Sequence, residues 1–362
     1  MKRYVKGSGE VEKECWTITE SIVFEDETIQ IVRTADTSYP AILYKRFFPS
    51  VSIGTKIVIN QTATALKLGT GGYDFVKHVM ASNNQFTNSD KHIMKLRYTP
   101  LQHIGNSVEE IKEHQALFEN HLSLQNKKII LAELHSMVPI IYDVANVLDP
   151  TASCCFIFDD SASLTIEISS HIRRLQKKST VHSITVGQCI GGEYDAVSVA
   201  SALQFAHGYL KADLIIISVG PGVVGTGTKY GHTAMDLANW ANTVGSLGGC
   251  PVWIPRLSFA DSRDRHYGLS HHTITPLFEF TYCPCVLVFP PLQTDQKKVV
   301  ESQLSSVCRV DHHIIYSSIL SNEGSIRRVL ATGKVKTMGR GYNDDPVFFE
   351  AVSEAVCFCL DG

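Results

Sequence analysis

Seven short apolar runs punctuate the chain after residue 100, at 128–132, 154–158, 183–186, 214–218, 252–254, 285–289 and 314–316. Most are apolar at successive positions, the pattern of a strand covered on both faces. Longer stretches of mixed polarity lie between several of them, at 163–178, 196–211, 233–244 and 297–307, and read as helices. Residues 346–360 read as a closing helix. Strands of this kind joined by helices predict a doubly wound, mostly parallel, Rossmann-like α/β domain. Ile104, Val108, Ile111, Phe118 and Leu122 recur at steps of three, four and seven, which predicts one more helix ahead of the first strand.

Residues up to about 90 follow another rhythm. Trp16-Thr17-Ile18, 29–32, 41–44 and 56–59 are β-rich runs of a few residues. Turn residues bound them at 36–38, 49–50 and 69–72. Short strands at this spacing predict a small antiparallel β-barrel or sandwich. The expected division is a β domain over 1–95 and an α/β domain over 96–362.

Composition narrows the classes further. With 44% hydrophobic and 19% charged residues the chain is globular rather than disordered. Lys plus Arg total 33 against 36 Asp plus Glu, a net charge of −3, which excludes the polycation that long nucleic acids attract. Ten cysteines in 362 residues are too dilute for a disulfide framework. Most lie in apolar runs such as 153–158 and 285–289, and close pairs are adjacent or C-x-C rather than C-x-x-C. They read as small buried hydrophobes, with Cys189, just ahead of Gly191-Gly192, set apart. The first residues lack the apolar stretch of a signal peptide, and no apolar run reaches the length of a membrane span. The expectation is a cytoplasmic protein with reduced thiols and no membrane partner. The base rate for soluble proteins adds a homodimer.

Candidate chemistry follows from the predicted sheet. In an open parallel sheet ligands bind beyond the carboxyl ends of the strands. The residues following the first five runs include Glu133, His135 and Ser136; Asp159, Asp160 and Ser161; the loop 187–195 with Glu193 and Asp195; the loop 220–229; and the segment 261–273. Loop 220–229 holds Gly220, Gly222, Gly225, Thr226, Gly227, Thr228 and Lys229 and matches G-x-G-x-x-G. Small residues let backbone N–H groups approach an anion, so it reads as an anion or phosphate cradle, or else as a tight turn. It follows the fourth run rather than the first, and Thr228-Lys229 inverts the Walker order, so a nicotinamide cofactor is disfavoured. Segment 261–272 packs in Asp261, Arg263, Asp264, Arg265, His266, His271 and His272. Arginine forks clamp carboxylate or phosphate, and histidine moves protons or ligates metal. A helix beginning near Ser270 would hold His271 and His272 in its first turn. Asp159 and Asp160 close an apolar strand and can hold a divalent metal ion, act as base, or cap the next helix.

Four stretches resemble an uncharacterised bacterial family, domain-of-unknown-function family 3866. They are 68–75 (LGTGGYDF), 92–102 (HIMKLRYTPLQ), 220–228 (GPGVVGTGT) and 263–273 (RDRHYGLSHHT). The resemblance implies a bacterial protein and assigns no activity. The stretch 92–102 places Lys95, Arg97 and Tyr98 beside His92, more functional side chains than a linker requires, and is expected to wall a cleft.

These residues support an enzyme, a hydrolase or group transferase, acting on a small phosphorylated or anionic ligand. Asp159, Asp160, Glu193, Asp195, His271 and His272 would be the acid, base or metal-binding residues. Gly220, Gly222, Gly225, Thr226, Gly227, Thr228, Lys229, Asp261, Arg263, Arg265 and His266 would hold the ligand. Two alternatives stay open: a metal-dependent hydrolase that collects a divalent ion with Asp159, Asp160, His271 and His272, and a non-catalytic ligand sensor or assembly protein.

Overall fold

The computed structural model describes residues 12–69, 71–80, 90–160, 165–305, 310–317 and 323–360. Ser161, Cys308, Thr70 and the chain's first residues lie outside them, as do the ends of the helices expected at 163–178 and 297–307. The chain divides into two compact units, Met1–Asp90 and Lys91–Gly362.

The first unit is a closed five-stranded barrel. Its strands are β1 (Glu14–Glu25), β2 (Ile29–Thr34), β3 (Ala41–Tyr44), β4 (Lys56–Asn60) and β5 (Asp74–Val79). The order β1-β2-β3-β5-β4 closes through antiparallel pairing of β1 with β4. One pair, β3 with β5, is parallel, a departure from the expected all-antiparallel barrel. Strand β5 is also absent from the sequence reading, because Lys77-His78 interrupts its alternation of buried and exposed positions. Val32, Ala41, Leu43, Val51, Ile57, Ile59, Val76 and Val79 fill the interior.

The second unit opens with a ribbon, β6 (Met94–Lys95) with β7 (His103–Ile104). The sheet strands are β8 (Lys128–Ala132), β9 (Cys154–Phe158), β10 (Val181–Val186), β11 (Tyr194–Ala196), β12 (Leu214–Ser218) and β13 (Cys250–Trp253). A second ribbon, β14 (Leu257–Ser258) with β15 (Gly268–Leu269), precedes β16 (Val286–Phe289) and β17 (His313–Tyr316). Eight strands form one sheet in the order β11-β10-β9-β12-β8-β13-β16-β17, and every pairing is parallel.

Continuous apolar runs serve two cores at once. Ile129, Leu131, Ile215 and Ile217 enter the core on one face, beneath helices Asp236–Ser246 and His271–Phe280. Ile130, Ala132, Leu214 and Ile216 enter the other, beneath helices Met137–Leu148 and Pro346–Leu360. Each such isoleucine or leucine is fully buried and contributes about 1.5–3 kcal/mol of transfer free energy.

Two further differences from the sequence pattern have local causes. The periodicity over 104–122 yields 3-10 turns at Val108–Glu110 and Lys112–His114 and a short helix at Gln115–Phe118. Ile111 adopts extended backbone (φ −80°, ψ 114°) between those turns and interrupts the helix. Strand β11 straddles the end of the loop read at 187–195 and the start of the helix read at 196–211, because three residues between Glu193 and Val197 give too short a signal. The nine cysteines among the described residues are all free, and burial pushes the Cys154 thiol up to about 12. No helix of the described residues is long and apolar enough to cross a membrane.

The strand order marks a crevice at the sheet edge. From β8 the chain runs outward through β9, β10 and β11, returns to β12 beside β8, then leaves the other way through β13, β16 and β17. The direction of winding therefore reverses at the β12/β8 pair, and the crevice beyond their carboxyl ends is the expected binding place.

Candidate metal centre at the sheet edge

Glu133 follows β8 directly and is fully buried. Arg256, three residues beyond β13, places Nη1 3.3 Å from Glu133 Oε1. The Thr273 hydroxyl donates to Glu133 Oε2 at 2.8 Å. Burial pushes the Glu133 carboxyl up, but the His272 ring, the Arg256 guanidinium and Thr273 outweigh it and hold it down at about 2. Arg256 Nη1 also donates to His272 Nδ1 at 3.1 Å. A buried carboxylate thus anchors one arginine and, through it, one histidine.

Helix His271–Phe280 starts where the sequence places it, with the Ser270 hydroxyl oxygen accepting from the His272 N–H at 3.1 Å. That cap aims both histidines toward the sheet edge. His232, just ahead of the turn Thr233–Met235, completes the group. The His232 and His272 rings stack with centroids 4.0 Å apart, and the His271 ring lies 4.4 Å from that of His272. One nitrogen of each of the three rings lies within 4.8 Å of the others, so the group can hold a metal ion. His232 Nε2 donates to the Lys229 carbonyl at 3.1 Å, which leaves the lone pair on Nδ1. His232 Nδ1 and His271 Nε2 are both buried without a hydrogen-bond partner. Burial and the neighbouring His272 push His271 down to about 4, so its ring is neutral at pH 7. Burial and the Arg256 guanidinium lower His266 to about 3.

The glycine-rich loop lies over this group. A Cβ at Gly225 would sit 3.5 Å from both His272 Cε1 and His232 Cβ. Gly227 has φ +77°, and a Cβ there would come within 3.3 Å of Arg265 Nη1. Thr226 and Thr228 hydroxyls contact each other at 2.9 Å and close the turn, which is exposed, as Gly222 is. Helical structure begins only at Thr233, so the loop does not run directly into a helix N-terminus as a dinucleotide loop does. The Lys229 ammonium pairs with Glu279 at 2.7 Å.

The fold separates the other sequence candidates. Gly225, Gly227, Arg265, His266, His271 and His272 come together with Glu133, His232 and Arg256. Asp261 instead holds Arg263 at 2.7 Å and Arg340 at 3.3 Å, and Arg340 reaches on to Asp345. Arg263 keeps the Asp261 carboxyl well below the usual carboxylate range. Asp159 accepts from Trp240 Nε1 at 2.7 Å, and burial raises its carboxyl. Asp160 is buried. Glu193 pairs with His182 at 3.0 Å. Asp195 binds Lys95 at 3.1 Å, on the β10/β11 side of the sheet. Sequence reasoning passed over His232 and Arg256 and gave Glu133 no role. The only available signal was position, since all three follow or flank a predicted strand or helix end.

With this geometry in place, the resemblance over 220–228 and 263–273 has a structural meaning: both stretches border the histidine group. The family model described as "Protein of unknown function (DUF3866)" matches residues 40–356. The chain belongs to that family. No curated protein and no solved structure matches it. The match runs from just ahead of β3 in the barrel through the whole parallel sheet, and so includes the edge described above.

Proposed function

We propose that the protein is a metal-dependent enzyme that hydrolyses, or transfers a group from, a small anionic substrate at the β8/β12/β13 edge. The observation that carries this reading is the meeting of His232, His271 and His272 with two ring nitrogens left unpartnered. Three protein nitrogens beside an open position are the donor set of a catalytic zinc site. A divalent cation held there would supply Lewis acidity and a water acidified toward neutral pH. His271, neutral at pH 7, offers its lone pair without first losing a proton. The Glu133 carboxylate holds Arg256, whose Nη1 donates to His272 Nδ1, so the His272 ring is fixed from behind by residues outside the group. Arg265 against Gly227 brings a guanidinium fork beside loop N–H groups, a pairing suited to an anionic group.

The test is a turnover screen of p-nitrophenyl phosphate, bis-p-nitrophenyl phosphate and p-nitrophenyl acetate on protein loaded with Zn²⁺ or Mn²⁺. The expected result is turnover with at least one of them, abolished by chelation and by His271→Ala. Rates unchanged in both His271→Ala and His232→Ala would sink the proposal. So would ligand-induced thermal stabilisation with no turnover, which marks a sensor.

A further inference from the structure

A second cleft lies on the far side of the same sheet edge. It encloses about 370 Å³, within the range of small-molecule sites. Its wall is the stretch 92–102, which forms ribbon β6/β7 and the turn between them, and its floor is the loop after β10 at Gly187 and Gln188. The wall is fixed in place by Lys95. That side chain is almost fully buried, and its ammonium group reaches Asp195 at 3.1 Å and the carbonyls of Thr185 at 3.2 Å and Cys189 at 2.9 Å. All three ammonium protons are thereby used, so Lys95 builds the wall and does not meet a ligand.

The residues left over are chemically distinct. His92 is paired with Glu110 at 2.7 Å. Arg97 lines the cleft with no acidic partner among the described residues. Tyr98 stands beside it, 97% exposed. Leu96 and Tyr98 both hold left-handed backbone, φ +48° and +62°. Non-glycine residues avoid that region, so the chain spends conformational energy to present Arg97 and Tyr98 at this rim. Gln188 spends its carbonyl oxygen on the Leu96 N–H, at 2.5 Å, which leaves its NH₂ to donate. Gln102 adds a second amide.

We infer that this cleft binds a mononucleotide-like ligand, a flat heteroaromatic ring bearing one phosphate. The Tyr98 ring supplies a stacking face, which every nucleobase can use. The Arg97 fork meets the phosphate in the two-pronged geometry that phosphate favours. The two glutamine amides face donors and acceptors on the ring edge, and Gly187, where even a Cβ would meet nothing within 4 Å, leaves room for the sugar. This site stands apart from the histidine group and does not depend on the proposed enzymatic reading.

Calorimetric titration of the full chain with AMP, GMP, CMP and UMP tests it, with adenosine and inorganic phosphate as partial ligands. At least one nucleotide should bind. Arg97→Ala should weaken it tenfold or more while leaving adenosine binding unchanged. Tyr98→Ala should weaken the nucleotide and adenosine about tenfold and leave phosphate unchanged. Both side chains are exposed, so both variants should keep the wild-type melting temperature. His232→Ala should leave nucleotide binding intact. No binding of any of the four, binding indifferent to both cleft substitutions, or binding lost with His232→Ala would each overturn the inference.

Discussion

Segment 261–272 looks uniform in sequence, yet its two halves behave oppositely in the fold. At its start the charges answer one another: Asp261 holds Arg263 and Arg340, and Arg340 holds Asp345, which also accepts from Ser258 at 2.6 Å. In the second half the histidines converge, and a buried ring nitrogen of His271 and another of His232 find no partner. Native interiors rarely leave such atoms unpaired, so an unanswered polar group marks a place for something else. The lesson is that residue type does not separate a structural network from a site. Partner count does.

The largest effect expected from breaking this contrast is at Glu133. Glu133→Ala removes the only carboxylate among the described residues that the structure places against Arg256 and leaves a buried cation uncompensated, a loss of about 3–5 kcal/mol. Urea unfolding measures it, and the double variant Glu133→Leu with Arg256→Met should recover most of the loss. A single variant within about 1 kcal/mol of wild type would mean that Glu133 does not anchor this edge.

Acid should separate the two halves next. His271, near 4, and His266, near 3, are neutral in the fold but take up protons in the unfolded chain below about 6.5. Their contribution is present above that value and is lost as pH falls toward 4. Metal-free protein should therefore lose several degrees of melting temperature between pH 7 and 5, and His271→Gln should flatten that slope. Asp261 has a depressed carboxyl, so its contribution persists down to about pH 4 and fades only below. Arg263→Ala should leave the slope from pH 7 to 5 untouched.

The smallest effect belongs to Arg263 itself. Its guanidinium is partly exposed and Arg340 remains on Asp261, so Arg263→Ala should cost only about 0–1 kcal/mol at pH 7. A loss as large as that of Glu133→Ala would erase the distinction drawn here.

Much of the scaffold was legible because burial on both faces writes itself as continuous apolar runs, as in Leu214–Ser218 and Cys154–Phe158. The Ser270 cap and the two histidines behind it were legible for a local reason, since capping depends on neighbours in sequence. His232 was not, because the glycine-rich loop just ahead of it drew attention to backbone rather than to this side chain; its role comes from stacking on His272, forty residues away. Arg256 and Glu133 are silent for the same reason, meeting across 123 positions. The run of Ile104, Val108 and Ile111 misled because it is no single buried face: Val108 is buried, Ile104 lies exposed on β7, and Ile111 is half-buried in extended backbone.

The most direct measurement of the central claim is zinc binding by equilibrium dialysis and elemental analysis, on wild-type protein and on His232→Ala and His271→Ala. The account predicts one ion per wild-type chain. In both variants affinity should fall by more than the roughly 10–100-fold that loss of an outer partner costs, with melting temperatures of the metal-free proteins unchanged. Wild-type protein that holds no zinc above background, or folded variants that bind it as tightly as wild type, would contradict it.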